Sequence, residues 1–147
     1  MTIKYIESID DVIEIHRKTV QVSGGGTYGV LNTASLESAL VFIRDDDYYP
    51  TFIDKLTHLV YVANKSHCFQ DGNKRIAISL GMKFLLDNGY LFAANRFIYK
   101  MEIVSLHLAA GRIDKEFLKK LIESIVYEDD YSESLKMELW ECISREV

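Results

Sequence analysis

The most constraining feature of this sequence is the segment HCFQDGNKR at residues 67–75, which comes just before a helical pattern. Over residues 73–88, the apolar positions have the spacing of a helix with one buried face: Ile76, Leu80, Phe84 and Leu85. We therefore expect a helix to begin at Asp71-Gly72-Asn73. Because its apolar face is the most complete in the chain, we expect this helix to be central.

The start of this helix has the residues of a phosphate site. The first turn of a helix carries free backbone N–H groups and the positive end of the helix dipole, which attract anions. Gly72 lets the backbone approach a ligand closely, and Lys74 with Arg75 adds two positive charges within one turn. We therefore predict a polyphosphate site formed by Gly72, Asn73, Lys74 and Arg75.

Three neighbouring residues complete the candidate site. A carboxylate next to polyphosphate is repelled unless a cation lies between them, so Asp71 is a candidate ligand for Mg²⁺, which prefers oxygen ligands. His67 is the nearby group that can exchange a proton near neutral pH. Phe69, between them, is interpreted as an apolar residue that holds the loop against the protein.

The pattern H-x-F-x-D-G-N-x-R at residues 67–75 resembles the signature of the Fic/Doc family, and its Asn-Lys-Arg ending is similar to the Doc (death-on-curing) branch. Residues 25–40 resemble the family's glycine loop and the helix after it, and residues 84–90 resemble its FL-x-x-NGY helix end. The resemblance covers about residues 1–125. It agrees with our reading of the whole chain as an all-α, Fic-like bundle of six to seven helices around the motif helix.

The resemblance implies a transferase that modifies proteins. In the Doc branch, phosphate passes from ATP, bound with Mg²⁺, to a Ser, Thr or Tyr hydroxyl of a target protein, and the enzyme is the toxin of a toxin–antitoxin pair. His67 would be the general base. Members that transfer AMP have a glycine and a second arginine where this chain has Lys74 and Ile78. This departure favours phosphate transfer, with AMP transfer (AMPylation) as the alternative.

A non-catalytic module that binds a nucleotide or a partner is a further alternative, against which the intact His67 and Asp71 argue. A toxin also needs restraint. The family uses a glutamate of an inhibitory helix against the second arginine, and Glu138 partly fits that pattern, but Ile78 replaces the arginine. The resemblance therefore implies a separate antitoxin protein that folds into a groove beside the motif.

Composition limits the other functions. A chain of 147 residues is expected to form a single domain, residues 1–147, and 48% hydrophobic residues is an ordinary globular proportion. The net charge of −5 argues against direct binding of nucleic acid, whose phosphates need a basic face. The chain has no apolar run of membrane length and its start lacks the apolar part of a signal peptide, so we expect a cytoplasmic protein without membrane contact.

The rest of the chain predicts further helices joined by short loops. The glycine-rich segment 24–29 is left open between a flap that holds a target peptide by strand pairing and a simple connector. After Asn88-Gly89, residues 90–92 are expected to be extended, with Asn95 as the cap of the next helix. The last helix is expected to bury Trp140, together with Leu135, Leu139 and Ile143.

Overall fold

The structure is a computed structural model that describes residues 2–23 and 29–145, with only the backbone described for Ser23. The described part contains seven helices: α1 (Ile9–Ser23), α2 (Ala34–Phe42), α3 (Phe52–Lys65), α4 (Asn73–Asp87), α5 (Leu91–Ala109), α6 (Lys115–Tyr127) and α7 (Glu133–Ile143). This confirms the prediction of an all-α bundle of six to seven helices. Within the described ranges, no helix is both long enough and apolar enough to cross a bilayer.

The motif helix α4 is central, as predicted, because it packs against α1, α3 and α5. Its apolar face is fully buried, with 0% exposure at each predicted position: Ile76, Leu80, Phe84 and Leu85. Gly81, on the same helix, lies so close to α5 that a Cβ atom there would overlap the ring of Phe97. This close packing holds the body of α4 inside the bundle, while its first turn reaches the surface.

The prediction for residues 90–92 was wrong, because α5 begins at Leu91 and Asn95 lies in its second turn. Gly89 adopts φ +87° and Tyr90 donates its N–H to the carbonyl of Leu85 at 2.9 Å. This bond closes the end of α4 in a compact turn. The chain has therefore reversed direction by Tyr90, and no extended segment is needed before the next helix.

The prediction for Trp140 was also wrong, because its side chain is 64% exposed. The face of α7 that packs on the core carries Leu135, Leu139 and Cys142 at the spacing of one helix side. Trp140 follows Leu139 directly, so it is rotated away from that face. Apolar character alone therefore did not identify which side of this short helix packs on the core.

Candidate active site

The loop before α4 makes two turns through left-handed backbone conformations. His67 has φ +50°, which is uncommon for a residue with a side chain, and Gly72 has φ +82° at the position that begins α4. Side-chain oxygens cap α3, α6 and α7, whereas α4, like α2 and α5, begins without a side-chain cap. The first turn of α4 therefore presents its N-terminal end, without a capping side chain, next to the basic residues Lys74 and Arg75.

Asn73 fixes the loop from the first residue of α4. Its side-chain amide donates to the carbonyl of Phe69 at 2.8 Å, and its side-chain oxygen accepts from the N–H of Phe69 at 3.1 Å. Both hydrogen-bonding groups of the side chain are therefore occupied by the backbone of one residue. The side chain of Phe69 is buried, with 1% of its surface exposed.

The predicted metal and phosphate ligands lie at the surface of this loop. One oxygen of Asp71, Oδ1, accepts from the N–H of Gly72 at 2.8 Å, and the other, Oδ2, lies 3.8 Å from a guanidinium nitrogen of Arg75. The side chain of Asp71 is 51% exposed and that of Arg75 is 39% exposed. His67 and Lys74 are also exposed. The structure thus brings Asp71 and Arg75 together and leaves all four side chains accessible to a ligand.

These residues fit a Mg²⁺ ion that arrives with a nucleotide. Mg²⁺ is usually held by one or two carboxylates together with phosphate oxygens and water, instead of by a cage of protein ligands. Among the described residues, no group of three or more His, Cys, Asp or Glu side chains could form such a cage. Asp71, with a half-exposed carboxylate beside the start of α4, can supply the single protein ligand.

The segment after the glycine loop is attached to the motif loop. Val30 and Phe69 form an antiparallel bridge, the N–H of Leu31 donates to the carbonyl of Cys68 at 2.9 Å, and the N–H of Gln70 donates to the carbonyl of Gly29 at 2.9 Å. Most of the glycine-rich segment, residues 24–28, lies outside the described residues, so its role as a flap or a connector stays a prediction. Its last residue, Gly29, is adjacent to the candidate site.

Cys68 is a packing residue in this loop. Its side chain is 0% exposed, and burial, with a further contribution from the Glu37 carboxylate, raises the pKa of its thiol. Nucleophilic cysteines are accessible and have a lowered pKa. Cys68 therefore has neither of the properties that a reactive thiol needs.

Sequence reasoning did not identify His16 of α1, which lies directly under the loop and is 1% exposed. Its ring stacks on Phe69, with the ring centroids 3.7 Å apart and the planes 6° apart, and its Nε2 atom lies 2.7 Å from the carbonyl oxygen of Asp71. Its spacing in the sequence could have indicated that it is buried, because His16 lies one helical turn from both Val12 and Val20, which are buried. A histidine in the middle of a buried face needs a polar partner.

A family model described as Fic/DOC matches residues 6–85, which include α1 to α3, all of α4 except its last two residues, and the whole candidate site. The match covers more than half of the 147 residues. The chain belongs to the Fic/DOC family. Comparisons with curated proteins and with solved structures gave no match. Members of the Fic/DOC family are generally transferases that use a nucleotide, such as those that transfer AMP, so the site belongs to a family of this chemistry.

Ile78 departs from the AMP-transferring pattern of the Fic/DOC family, and the structure shows what surrounds it. Its side chain lines a groove of about 660 Å³ between α1, α4 and α5, together with Arg75 and the apolar residues Met82, Leu86 and Ile98. Most of the groove surface is apolar, although its lining also includes charged residues: Lys18, Lys83, Asp87 and Glu102. The position one turn after Arg75 thus lies on a mainly apolar surface. Glu138, the other residue of the self-inhibition pattern, lies 3.6 Å from Lys120 of α6 in an ion pair.

Proposed function

We propose that this protein transfers the γ-phosphate of ATP to a Ser, Thr or Tyr hydroxyl of a target protein, as the toxin of a toxin–antitoxin pair. The observation that carries the proposal is the side chain one turn after Arg75: Ile78, an apolar residue in a mainly apolar groove. AMP-transferring relatives have an arginine there, which grips the distal phosphates and fixes which phosphorus faces the hydroxyl. Without that cation, the favoured orientation of the nucleotide is the one in which the γ-phosphorus faces the target hydroxyl.

Nucleotide binding is assigned to the first turn of α4. The phosphates would accept hydrogen bonds from the backbone N–H groups that follow Gly72, including that of Asn73, because the Asn73 side chain is occupied by Phe69. Lys74 and Arg75 would supply positive charge. Asp71 would hold Mg²⁺, which when bound neutralises part of the phosphate charge. Most catalysis of phosphoryl transfer comes from positioning and charge stabilisation of this kind.

His67 would act as the general base. The target hydroxyl oxygen attacks the γ-phosphorus, the new O–P bond forms, and the bond from the γ-phosphorus to the β–γ bridging oxygen breaks. ADP leaves with that electron pair, and the hydroxyl proton passes to the imidazole of His67. The exposed position of His67 is compatible with contact with a separate protein.

The test uses ATP labelled in either the γ- or the α-phosphate, incubated with the protein, Mg²⁺ and a cell lysate from a related host. We expect label to enter lysate protein from γ-labelled ATP, and mass spectrometry to find phosphate on the modified peptide. Label from α-labelled ATP would instead establish AMP transfer, the second candidate. Absence of any transfer, with nucleotide binding intact, would establish a binding module.

One variant tests why phosphate transfer is favoured over AMP transfer. Ile78→Arg restores the second cation one turn after Arg75, and we expect it to add transfer from α-labelled ATP. Ile98→Arg, which places a cation at the same groove but on α5, is the matched control and should not do so. If Ile78→Arg transfers only phosphate, the absence of the second arginine does not determine how the nucleotide is oriented in the site.

We further propose that the restraining partner is an antitoxin whose amphipathic segment folds onto the groove beside Arg75. The groove is mainly apolar and runs along about three turns of α4, from Arg75 to Asp87, as an apolar helix face requires. Expression of the chain alone should slow growth, and co-expression of the neighbouring small gene should relieve it. Met82→Glu should prevent that relief without reducing transfer, and continued relief would place the partner elsewhere.

A further inference from the structure

His16 places a polar group in the core under the motif loop. A buried imidazole without a hydrogen bond is costly, and here the partner within 2.7 Å of Nε2 is the carbonyl oxygen of Asp71. A carbonyl oxygen can only accept, so Nε2 carries the proton and donates it. The ring also lies flat on Phe69, at 3.7 Å between centroids. His16 therefore contacts the loop at two residues on either side of Gln70.

The bond from His16 determines how one peptide unit of the loop is oriented. In a trans peptide, the C=O and the following N–H point in opposite directions. Because the carbonyl of Asp71 points down to His16, the N–H of Gly72 points away from the core, where it donates to Oδ1 of Asp71 at 2.8 Å. The space is also limited, since a Cβ added to Gly72 would lie 3.2 Å from Nε2 of His16.

We propose that His16 is a positioning residue that orients the Asp71–Gly72 peptide unit and, through it, the Asp71 carboxylate. The carboxylate oxygen Oδ1 is held by the N–H of Gly72, so Oδ2, which lies 3.8 Å from a guanidinium nitrogen of Arg75, is the oxygen that would reach a ligand. A rotated peptide unit would release Oδ1 and move the carboxylate away from the start of α4. The inference extends the proposed function, on which its catalytic consequence rests, while its structural consequence does not depend on it.

Three substitutions separate the hydrogen bond from the stacking. His16→Phe keeps a ring on Phe69 and removes the donor. His16→Gln removes the ring and keeps an amide N–H close to the position of Nε2. His16→Asn, shorter by one methylene, is the matched control for glutamine because its N–H cannot reach the Asp71 carbonyl. Val12→Ala is the stability control, since Val12 is 0% exposed on the same face of α1 and does not form part of the site.

The first measurement needs no nucleotide: amide hydrogen exchange of Gly72 in the ¹⁵N-labelled protein, with the imidazole ¹⁵N shifts of His16. We expect Nε2 of His16 to carry the proton, and Gly72 exchange to rise several-fold in His16→Phe and His16→Asn but little in His16→Gln. Val12→Ala should lower the melting temperature without a selective change at Gly72. A proton on Nδ1 with a bare Nε2, or unchanged Gly72 exchange in His16→Phe, would overturn the inference.

The second measurement is phosphate transfer as a function of Mg²⁺. His16→Phe should lower kcat by about 10–100-fold and raise the half-saturating Mg²⁺, with His16→Gln restoring most of both. If all His16 variants lose only melting temperature and keep their rate per folded molecule, the residue has a packing role alone and the inference fails. If the wild-type protein transfers nothing, the proposed function fails, and the Gly72 exchange still decides the inference.

Discussion

Two regions of this protein combine a histidine, an aromatic ring and a hydrogen bond between distant parts of the chain. In the motif region, residues 67–75 with His16, the imidazole lies parallel to Phe69, with 6° between the planes. The α3–α6 region consists of Tyr49, Asp54, His58, Tyr61, Lys115 and Lys119. There His58 lies against Tyr49 with ring centroids 4.6 Å apart and planes 31° apart. Its Nδ1 atom is 2.7 Å from Nζ of Lys115. The two histidines therefore have similar local contacts: one aromatic ring and one hydrogen-bonding partner each.

The regions differ in what the hydrogen bond reaches. The bond of His16 ends on a loop that presents an exposed carboxylate and two cations beside the start of a helix without a side-chain cap. The bond of His58 ends on Lys115, whose amine also lies 5.6 Å from the ring of Tyr61. The aromatic ring favours a charged amine, so this cluster is satisfied internally. A buried histidine therefore indicates function only through the groups that it holds in place.

The largest expected effect is that of His67→Ala in the motif region. Loss of the general base should lower transfer by about 10²–10⁴-fold. Because His67 is exposed, the melting temperature and nucleotide affinity should stay close to those of the wild type. Labelled-ATP assays and isothermal calorimetry measure these quantities. The matched control, His58→Gln in the α3–α6 region, should keep full transfer, and equal activity of the two variants would remove the distinction between the regions.

A smaller effect is expected for Asp71→Asn, which keeps an oxygen to accept from the N–H of Gly72 but removes the negative charge. The half-saturating Mg²⁺ concentration should rise by on the order of 10–100-fold. Titration of transfer activity with Mg²⁺ measures this shift. Asp54→Asn is the control carboxylate in the α3–α6 region, where Asp54 pairs with Lys119 at 2.7 Å. An identical Mg²⁺ curve for Asp71→Asn and the wild type would contradict the metal role.

Arg75→Ala should weaken nucleotide affinity by roughly 10-fold, since it removes one half-exposed cation from the phosphate site. Calorimetry with Mg²⁺ and a non-hydrolysable ATP analogue gives the dissociation constant. Arg44→Ala is a suitable control, because Arg44 is an exposed arginine that lies 3.9 Å from Glu7, outside the motif region. Unchanged affinity in Arg75→Ala would argue against phosphate binding at the start of α4.

Most of the helices, and the position of the motif loop before α4, were predictable because they depend on short-range patterns. The buried face of α4 follows from apolar spacing, and α6 begins at an aspartate, a common capping residue: Asp114 accepts from the N–H of Phe117 at 2.8 Å. The contact between His16 and Asp71 was not predictable, since it joins residues separated by 55 positions. The same spacing that makes His16 buried says nothing about which loop it meets.

The side chain of Asn73 shows a second limit. Its position in the motif predicted a phosphate ligand, and that prediction is still open for its backbone N–H. Its amide, however, spans the loop to Phe69 with two hydrogen bonds. Local sequence identifies a polar residue at a helix start, but whether its side chain faces a ligand or its own backbone depends on the loop path, which the left-handed residues His67 and Gly72 set.

The smallest expected effect concerns pH in the α3–α6 region. Burial and the nearby Lys115 ammonium lower the pKa of His58 from its ordinary 6.5 to about 4. Between these two values the unfolded chain takes up a proton that the folded protein does not, so the free energy of unfolding falls as pH decreases from 6.5 toward 4. Since His58 is only half-buried, solvent screening limits this loss to about 1–2 kcal/mol.

Urea unfolding at several pH values should show a smaller decrease in the free energy of unfolding for His58→Gln than for the wild type, with transfer activity at neutral pH unchanged. If the two proteins lose stability in parallel, His58 is not held neutral in the folded state, and the α3–α6 region is more open to water than its contacts indicate.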